Sequence, residues 1–363
     1  MKTIPRYLIR QLSVMSLYAM FALLALYSFF DIVAEAGSIG EGGYTAGKMA
    51  QYILLQIPDH AYQLMPLAVL IGSLLALSRL AANSELTVIK TSGISTANLL
   101  AVFLAFGLIF ATATALLGEL AAPAANRYAE NLKTTAKNGK ISTGAEGLWI
   151  KEQNSIVNVR EMLPDQTLRG IKAFRHNDAF QLIESWQADA ATVAPDGTWR
   201  LENVRRSILG GERVRTERHA HENWQAGIRS GLLDVLLVSP DQMSLAALTA
   251  YIAHLEENRQ KTDLYRIEWW RKLMYPAATV VMAFVAFAFT PQSARHGNMG
   301  LKLFGGICLG LAFHFAGRLF GFTSRLYGIP PFLAAVLPTL LFAAWAVWLI
   351  RRHEAALSDG LWR

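Results

Sequence analysis

Residues 83–95 read NSELTVIKTSGIS. The stretch is polar, lies between two long apolar runs, and has the marks of a short helix. Asn83 or Ser84 can cap the free N–H groups of a first turn. Glu85 suits the positive end of the helix dipole, Lys90 suits the last turn, and Gly93 is a C-terminal stop. The runs on either side, 64–80 with an apolar lead-in from Ile53 and 97–120, are each near the roughly 20 residues that cross a ~30 Å hydrocarbon core. The stretch therefore reads as a helical elbow between two membrane spans, and this reading decides the fold class.

Four further runs, 11–30, 269–289, 301–320 and 331–350, meet the same criterion. Three spans precede a long polar middle segment and three follow it. The chain of 363 residues is 53% hydrophobic and 17% charged, a balance too apolar for an ordinary soluble domain. Basic residues precede the first run and no small-residue cleavage site follows it, so it reads as a retained helix rather than a signal peptide. Cys308, the single cysteine, excludes a disulfide framework and a thiolate metal site.

Charge gives the orientation. Lys2, Arg6 and Arg10 precede the first span, whereas Asp31, Glu35 and Glu41 follow it, which places the N-terminus in the cytoplasm. Arg79 and Lys90, then Arg295 and Lys302, then Arg351 and Arg352 fall on the same side. The elbow is thus expected in the cytoplasm, with both termini, and the middle segment outside. Residues 122–265 hold 18 Lys+Arg and 18 Asp+Glu, leaving 16 and 9 for the remainder, so the net charge of +7 belongs to the membrane part. That distribution argues against nucleic acid as a partner, which would need a basic face on a soluble domain. Some cations nevertheless fall on the outer side: Arg127, Lys133, Lys137 and Lys140 after the third span, Arg266, Arg271 and Lys272 at the fourth, Arg318 and Arg325 by the fifth. Each alone reads as snorkelling. Together they point to an anionic ligand handled at the outer surface.

Between residues 148 and 225 the pattern alternates with period two. LWIKEQ, SIVNVREM, LRGIKAFRHN, FQLIESWQADAATV, TWRLENVRR and ERVRTERHAH read as strands, separated by turn signals such as Pro195-Asp196-Gly197. Such a domain has edge strands that can accept a partner's strand. Leu245, Leu248, Ile252 and Leu255 then form a helical stripe leading into the fourth span. The predicted organisation is a membrane α-helical protein of six transmembrane helices, 3+3, with an inserted all-β, jelly-roll-like domain. Its parts are 1–121 (with the elbow at about 84–93), 122–265 with flanking helical segments, and 266–363.

Chemistry-bearing motifs are sparse. GGYTAGKM at 42–49 nearly spells a phosphate-binding loop, but Met49 replaces the Mg²⁺-binding hydroxyl, no strand precedes it, and it faces outward. No nucleotide motor is expected in this chain, and no catalytic or metal-binding residues. His60, Glu119 and His314 lie in or near spans, where ionisable groups are functional candidates; no hydrolase or paired-carboxylate spacing accompanies them.

Four stretches occur in one order: LMPLAVLIGSLLALSRLAANSELTVIKTSGIS, GELAAP at 118–123, EWWRKLMYP at 268–276 and LYGIPP at 326–331. With them the chain resembles the LptF/LptG permeases of lipopolysaccharide export, on the LptG side. The resemblance implies a multi-pass protein of the bacterial inner membrane with its β-domain in the periplasm. It implies a sister permease of the LptF type, a cytoplasmic ATPase dimer of the LptB type that supplies ATP and Mg²⁺ chemistry, a single-span protein of the LptC type and a periplasmic bridge of the LptA type. No cofactor is implied on this chain itself. The elbow resembles the family's ATPase-coupling helix, with Glu85, Leu86, Ile89 and Gly93 in that role. Lipopolysaccharide would place its acyl chains among Met20, Leu24, Tyr27, Phe30, Leu311, Phe315 and Phe320. Family members often carry lysines just after the first span, whereas DIVAEAGSIGEGG here is acidic. The phosphate load therefore falls on Arg127, Lys133, Lys137, Lys272, Arg318 and Arg325. The competing readings are a lipid-modifying envelope enzyme, which would act alone, and a passive scaffold whose β-domain docks a partner.

Overall fold

The computed structural model describes residues 3–92, 94–137, 141–142, 148–152, 154–162, 167–194, 197–210, 213–225, 239–289 and 299–360. The helices are α1 (Thr3–Ala36), α2 (Ala46–Ala82), α3 (Glu85–Thr91), α4 (Thr96–Leu116), α5 (Ala122–Ala136), α6 (Leu245–Glu257), α7 (Asp263–Ala288), α8 (Met299–Tyr327) and α9 (Pro331–Gly360). A π-helical stretch, Leu117–Ala121, joins α4 to α5. Among the described residues six helices are long and apolar enough to cross a membrane: α1, α2, α4 continued through α5, α7, Phe304–Tyr327 of α8 and Pro331–Arg352 of α9.

The chain forms two compact units. The first comprises Met1–Asp31, Gln56–Ala125 and Asp263–Arg363; the second comprises Ile32–Leu55 and Asn126–Thr262. In the first unit, helices approach one another where small residues leave room, because lipid offers no hydrophobic drive for helix association. A Cβ built on Gly72 of α2 would lie 2.2 Å from the Ser16 Cα of α1, so the two backbones touch there. Around that crossing Leu8, Leu12, Met20, Leu64, Met65, Leu77, Phe103 and Phe106 form one core. Thr114 of α4 and Thr279 of α7 share a buried hydroxyl–hydroxyl hydrogen bond of 3.2 Å.

The second unit is built on an antiparallel sheet. Its strands are β1 (Ile141–Ser142), β2 (Leu148–Glu152), β3 (Ser155–Met162), β4 (Thr167–His176), β5 (Leu182–Val193), β6 (Thr198–Gly210) and β7 (Arg213–Gln225). Pairing runs β3-β4-β5-β6-β7, with β1 and β2 sharing the remaining side of β3. Five of the six alternating stretches coincide with β3–β7 to within a few residues at each end, and LWIKEQ covers β2. Alternation places Val157, Val159, Leu168, Ile171, Trp186, Trp199, Leu201 and Val204 in one core. Trp224, opposite Trp199 in the β6–β7 register, meets Trp199 and Trp186 edge-on at 5.3 and 5.1 Å. Offset edge-to-face aromatic contacts of this kind add to the apolar burial.

Candidate functional site: the elbow, an arginine-rimmed groove and a lysine pair

The elbow helix α3 is present but is not capped as its sequence suggests. Ser84 sits in the left-handed region (φ 59°) and its side chain makes no capping bond. Glu85 is instead held from outside the helix: the Tyr7 hydroxyl donates to its Oε2 at 2.6 Å, and the Asn83 amide donates to its Oε1 at 3.3 Å. These two hydrogen bonds, Tyr7 foremost, hold the Glu85 carboxyl below the usual glutamate range. Leu86 and Ile89 are buried in this chain's own core beside Leu8, Leu12 and Leu80. The face left exposed is Thr87, Val88 and Thr91, with Val88 at 64% exposure. Gly93 lies outside the described residues. Val88 and Tyr7 were not singled out from the sequence. A helical wheel gives Val88, since it lies opposite the Leu86/Ile89 pair; nothing local in the sequence gives Tyr7.

A second feature lies wholly within the first unit. Residues of α7 and α8 line an open groove of about 720 Å³. Its walls include Leu264, Ile267, Phe315, Leu319 and Phe322, and its cations are Arg271, Arg318 and Arg325. Residues 315, 318, 322 and 325 recur at three- and four-residue steps, which puts them on one helix face. Arg271 is fixed by Glu268 at 2.5 Å and donates to the Gly317 carbonyl at 3.2 Å. Among the described residues Arg318 and Arg325 form no ion pair, and Arg325 lies 5.6 Å from the Phe322 ring centroid. A groove with apolar walls and unneutralised guanidinium groups suits an amphiphile with an anionic head: the acyl part removes apolar surface from water, and the guanidinium fork matches phosphate geometry.

The other sequence-selected residues are dispersed. Lys272 is buried, its ammonium 5.7 Å from the Tyr62 ring centroid. Met20 is in the α1–α2 core, with Leu24 and Tyr27 packed against it. Phe30 and Leu311 are exposed and Phe320 is half-buried; none of the three lines the groove. Asp31 pairs with His60 at 2.7 Å, and the His60 ring tilts against Tyr27. In the second unit Arg127 is exposed on α5, while Lys133 and Lys137 are engaged: Lys133 pairs with Glu35 at 2.5 Å and Lys137 with Glu41 at 2.7 Å.

The sequence profile described as "Lipopolysaccharide export system permease LptF/LptG" matches residues 6–352. The chain belongs to the LptF/LptG family. It is 28% identical over 354 residues to the lipopolysaccharide export system permease protein LptG of Escherichia coli K12, covering 97% of this chain and 98% of that protein. Similarity to LptG of Haemophilus influenzae is also 28% over 354 residues, covering 97% and 99%. To LptF of E. coli K12 it is 27% identical over 152 residues, 42% of each chain. The likeness to LptG thus runs nearly end to end and that to LptF does not. The six apolar helices and the antiparallel sheet inserted between the third and fourth fit a multi-pass LptF/LptG permease.

Proposed function

We propose that this chain is the LptG-type permease of an ATP-driven lipopolysaccharide exporter. It pairs with an LptF-type permease, is driven by an LptB-type ATPase dimer, and extracts lipopolysaccharide from the outer leaflet of the inner membrane. The lipid then passes by way of the β-domain and an LptC-type protein to an LptA-type bridge. The chain performs no covalent chemistry on the lipid; ATP and Mg²⁺ act on the partner ATPase. Its β-domain lies in the periplasm and its termini and α3 in the cytoplasm.

The groove between α7 and α8 carries this reading: apolar walls for acyl chains beside Arg318 and Arg325, two cations that no carboxylate of the described residues neutralises. At the other end, α3 is braced from within by Leu86, Ile89 and Tyr7, so force applied to its exposed face would reach α1 directly. The test is co-expression with LptF-type and LptB-type subunits, then ATP hydrolysis with and without lipopolysaccharide. Arg318→Glu with Arg325→Glu should abolish most of the stimulation, about tenfold or more, while leaving the basal rate. Unchanged stimulation, or a chain that recruits no ATPase, overturns the proposal.

A further inference from the structure

In the second unit, Lys133 in the last turn of α5 and Lys137 just after its end lie one turn apart, the Lys137 N–H donating to the Lys133 carbonyl at 3.0 Å. Each ammonium is set near a tyrosine ring, Lys133 at 4.7 Å from the Tyr52 centroid and Lys137 at 5.5 Å from that of Tyr44. Each also holds a carboxylate from the segment that follows the first span, Glu35 for Lys133 and Glu41 for Lys137, and Lys137 donates to the Ser38 hydroxyl at 2.9 Å. Two cations in register thus meet two anions in register. We propose that Glu35 and Glu41 are resident anions, which the phosphates of a bis-phosphorylated glycolipid displace from Lys133 and Lys137. The inference rests on the proposed export of lipopolysaccharide and on the expectation from the sequence that these lysines share its phosphates with Arg318 and Arg325.

Three observations make the pairs exchangeable. The first is access: Glu41 is 60% and Lys137 26% exposed, so an anion from outside reaches the outer rung first. The second concerns the segment itself, which leaves α1 as a run of short turns rather than as regular structure. It contains Gly40 and Gly42 in the left-handed region, φ 95° and 58°, and its base stays tied by the Gly43 N–H donating to the Ala136 carbonyl at 2.7 Å. The third is relative strength. A lysine ammonium has three donors, and a phosphate offers more charge and more acceptor oxygens than a carboxylate. Once displaced, Glu35 and Glu41 face the incoming phosphates as like charges and are driven from α5. Glu35 lies on α1, so headgroup binding would move the end of the first span. A dephosphorylated lipid cannot do this, which makes the pair a selectivity filter as well as a latch.

The test uses the assembled complex with the permease and ATPase partners, with bis-phosphorylated and dephosphorylated lipid A as probes. Glu35→Gln with Glu41→Gln should tighten binding of the phosphorylated lipid by about three- to tenfold and leave the other unchanged. Spin labels at Ile39→Cys and Thr135→Cys in a Cys308→Ser background leave both pairs intact, and their separation should lengthen only with the phosphorylated lipid. Lys133→Gln with Lys137→Gln should lose the preference for phosphate. If that variant keeps the preference, the headgroup reading of these lysines fails. If it loses the preference while the glutamine pair binds no more tightly or the label separation stays fixed, the exchange alone is overturned.

Discussion

Glu85 shows how one side chain can be legible in type while its partners within the chain are not. Its place in a first turn predicts a dipole role; its hydrogen bonds run to Tyr7 and Asn83. Because its folded pKa is depressed, the bond contributes above the unfolded carboxyl pKa and is lost as pH falls through the folded value. Exchange of the 88–92 amides, corrected for intrinsic rate, should thus be pH-independent near neutrality and rise in acid. Tyr7→Phe should move that rise to higher pH. A profile identical to wild type would show that Tyr7 does not brace the elbow. The neighbouring positions divide in the same way. Leu86→Ala empties a buried site and should cost about 2–4 kcal/mol in unfolding. Val88→Asp should leave the melting temperature nearly unchanged and reduce ATPase recovery in co-purification. The reverse pattern would place the partner on the Leu86 face.

At the scale of elements, regular patterns were the readable ones. Strands β3 to β7 and the six spans follow from period-two alternation and apolar length, because each is set by residues within a single window. β1 was invisible, since two residues carry no period. The π stretch at Leu117–Ala121 likewise has no local signature. Helix crossings were not readable either: nothing adjacent to Gly72 shows that Ser16 will lie against it. Gly72→Leu must part α1 from α2, an overpacking that costs at least about 1–3 kcal/mol. The measurement is thermal unfolding of the purified chain in detergent, where Gly37→Ala, with open space at its Cβ position, serves as the control. Equal melting of the two variants would mean that the close crossing does not exist. In the sheet, Trp199→Ala removes a fully buried ring packed edge-on against Trp224 and should cost about 3–5 kcal/mol, read from near-UV dichroism.

For the whole molecule, the candidate site was half visible. Phe315, Arg318 and Arg325 announce themselves by helical spacing, but their opposite wall, Ile267 and Arg271, comes from another span. The acidic stretch after the first span looked like a departure from the family pattern; folding sets two of its carboxylates on two of the basic residues, a match between segments far apart in sequence. The proposed activity needs work delivered at α3 to act on a lipid met outside, so these two regions must lie on opposite sides of the bilayer. The charge bias supplies that orientation: Lys2, Arg6 and Arg10 against Asp31, Glu35 and Glu41. In a Cys308→Ser chain, a cysteine at Phe180 in the β4–β5 turn is expected to react with an impermeant maleimide in spheroplasts. One at Thr91 should react only after the membrane is opened, and both positions are exposed to the reagent in the folded chain. Labelling of both from the same side would remove the basis for ATP-driven transport through this fold, whatever the groove binds.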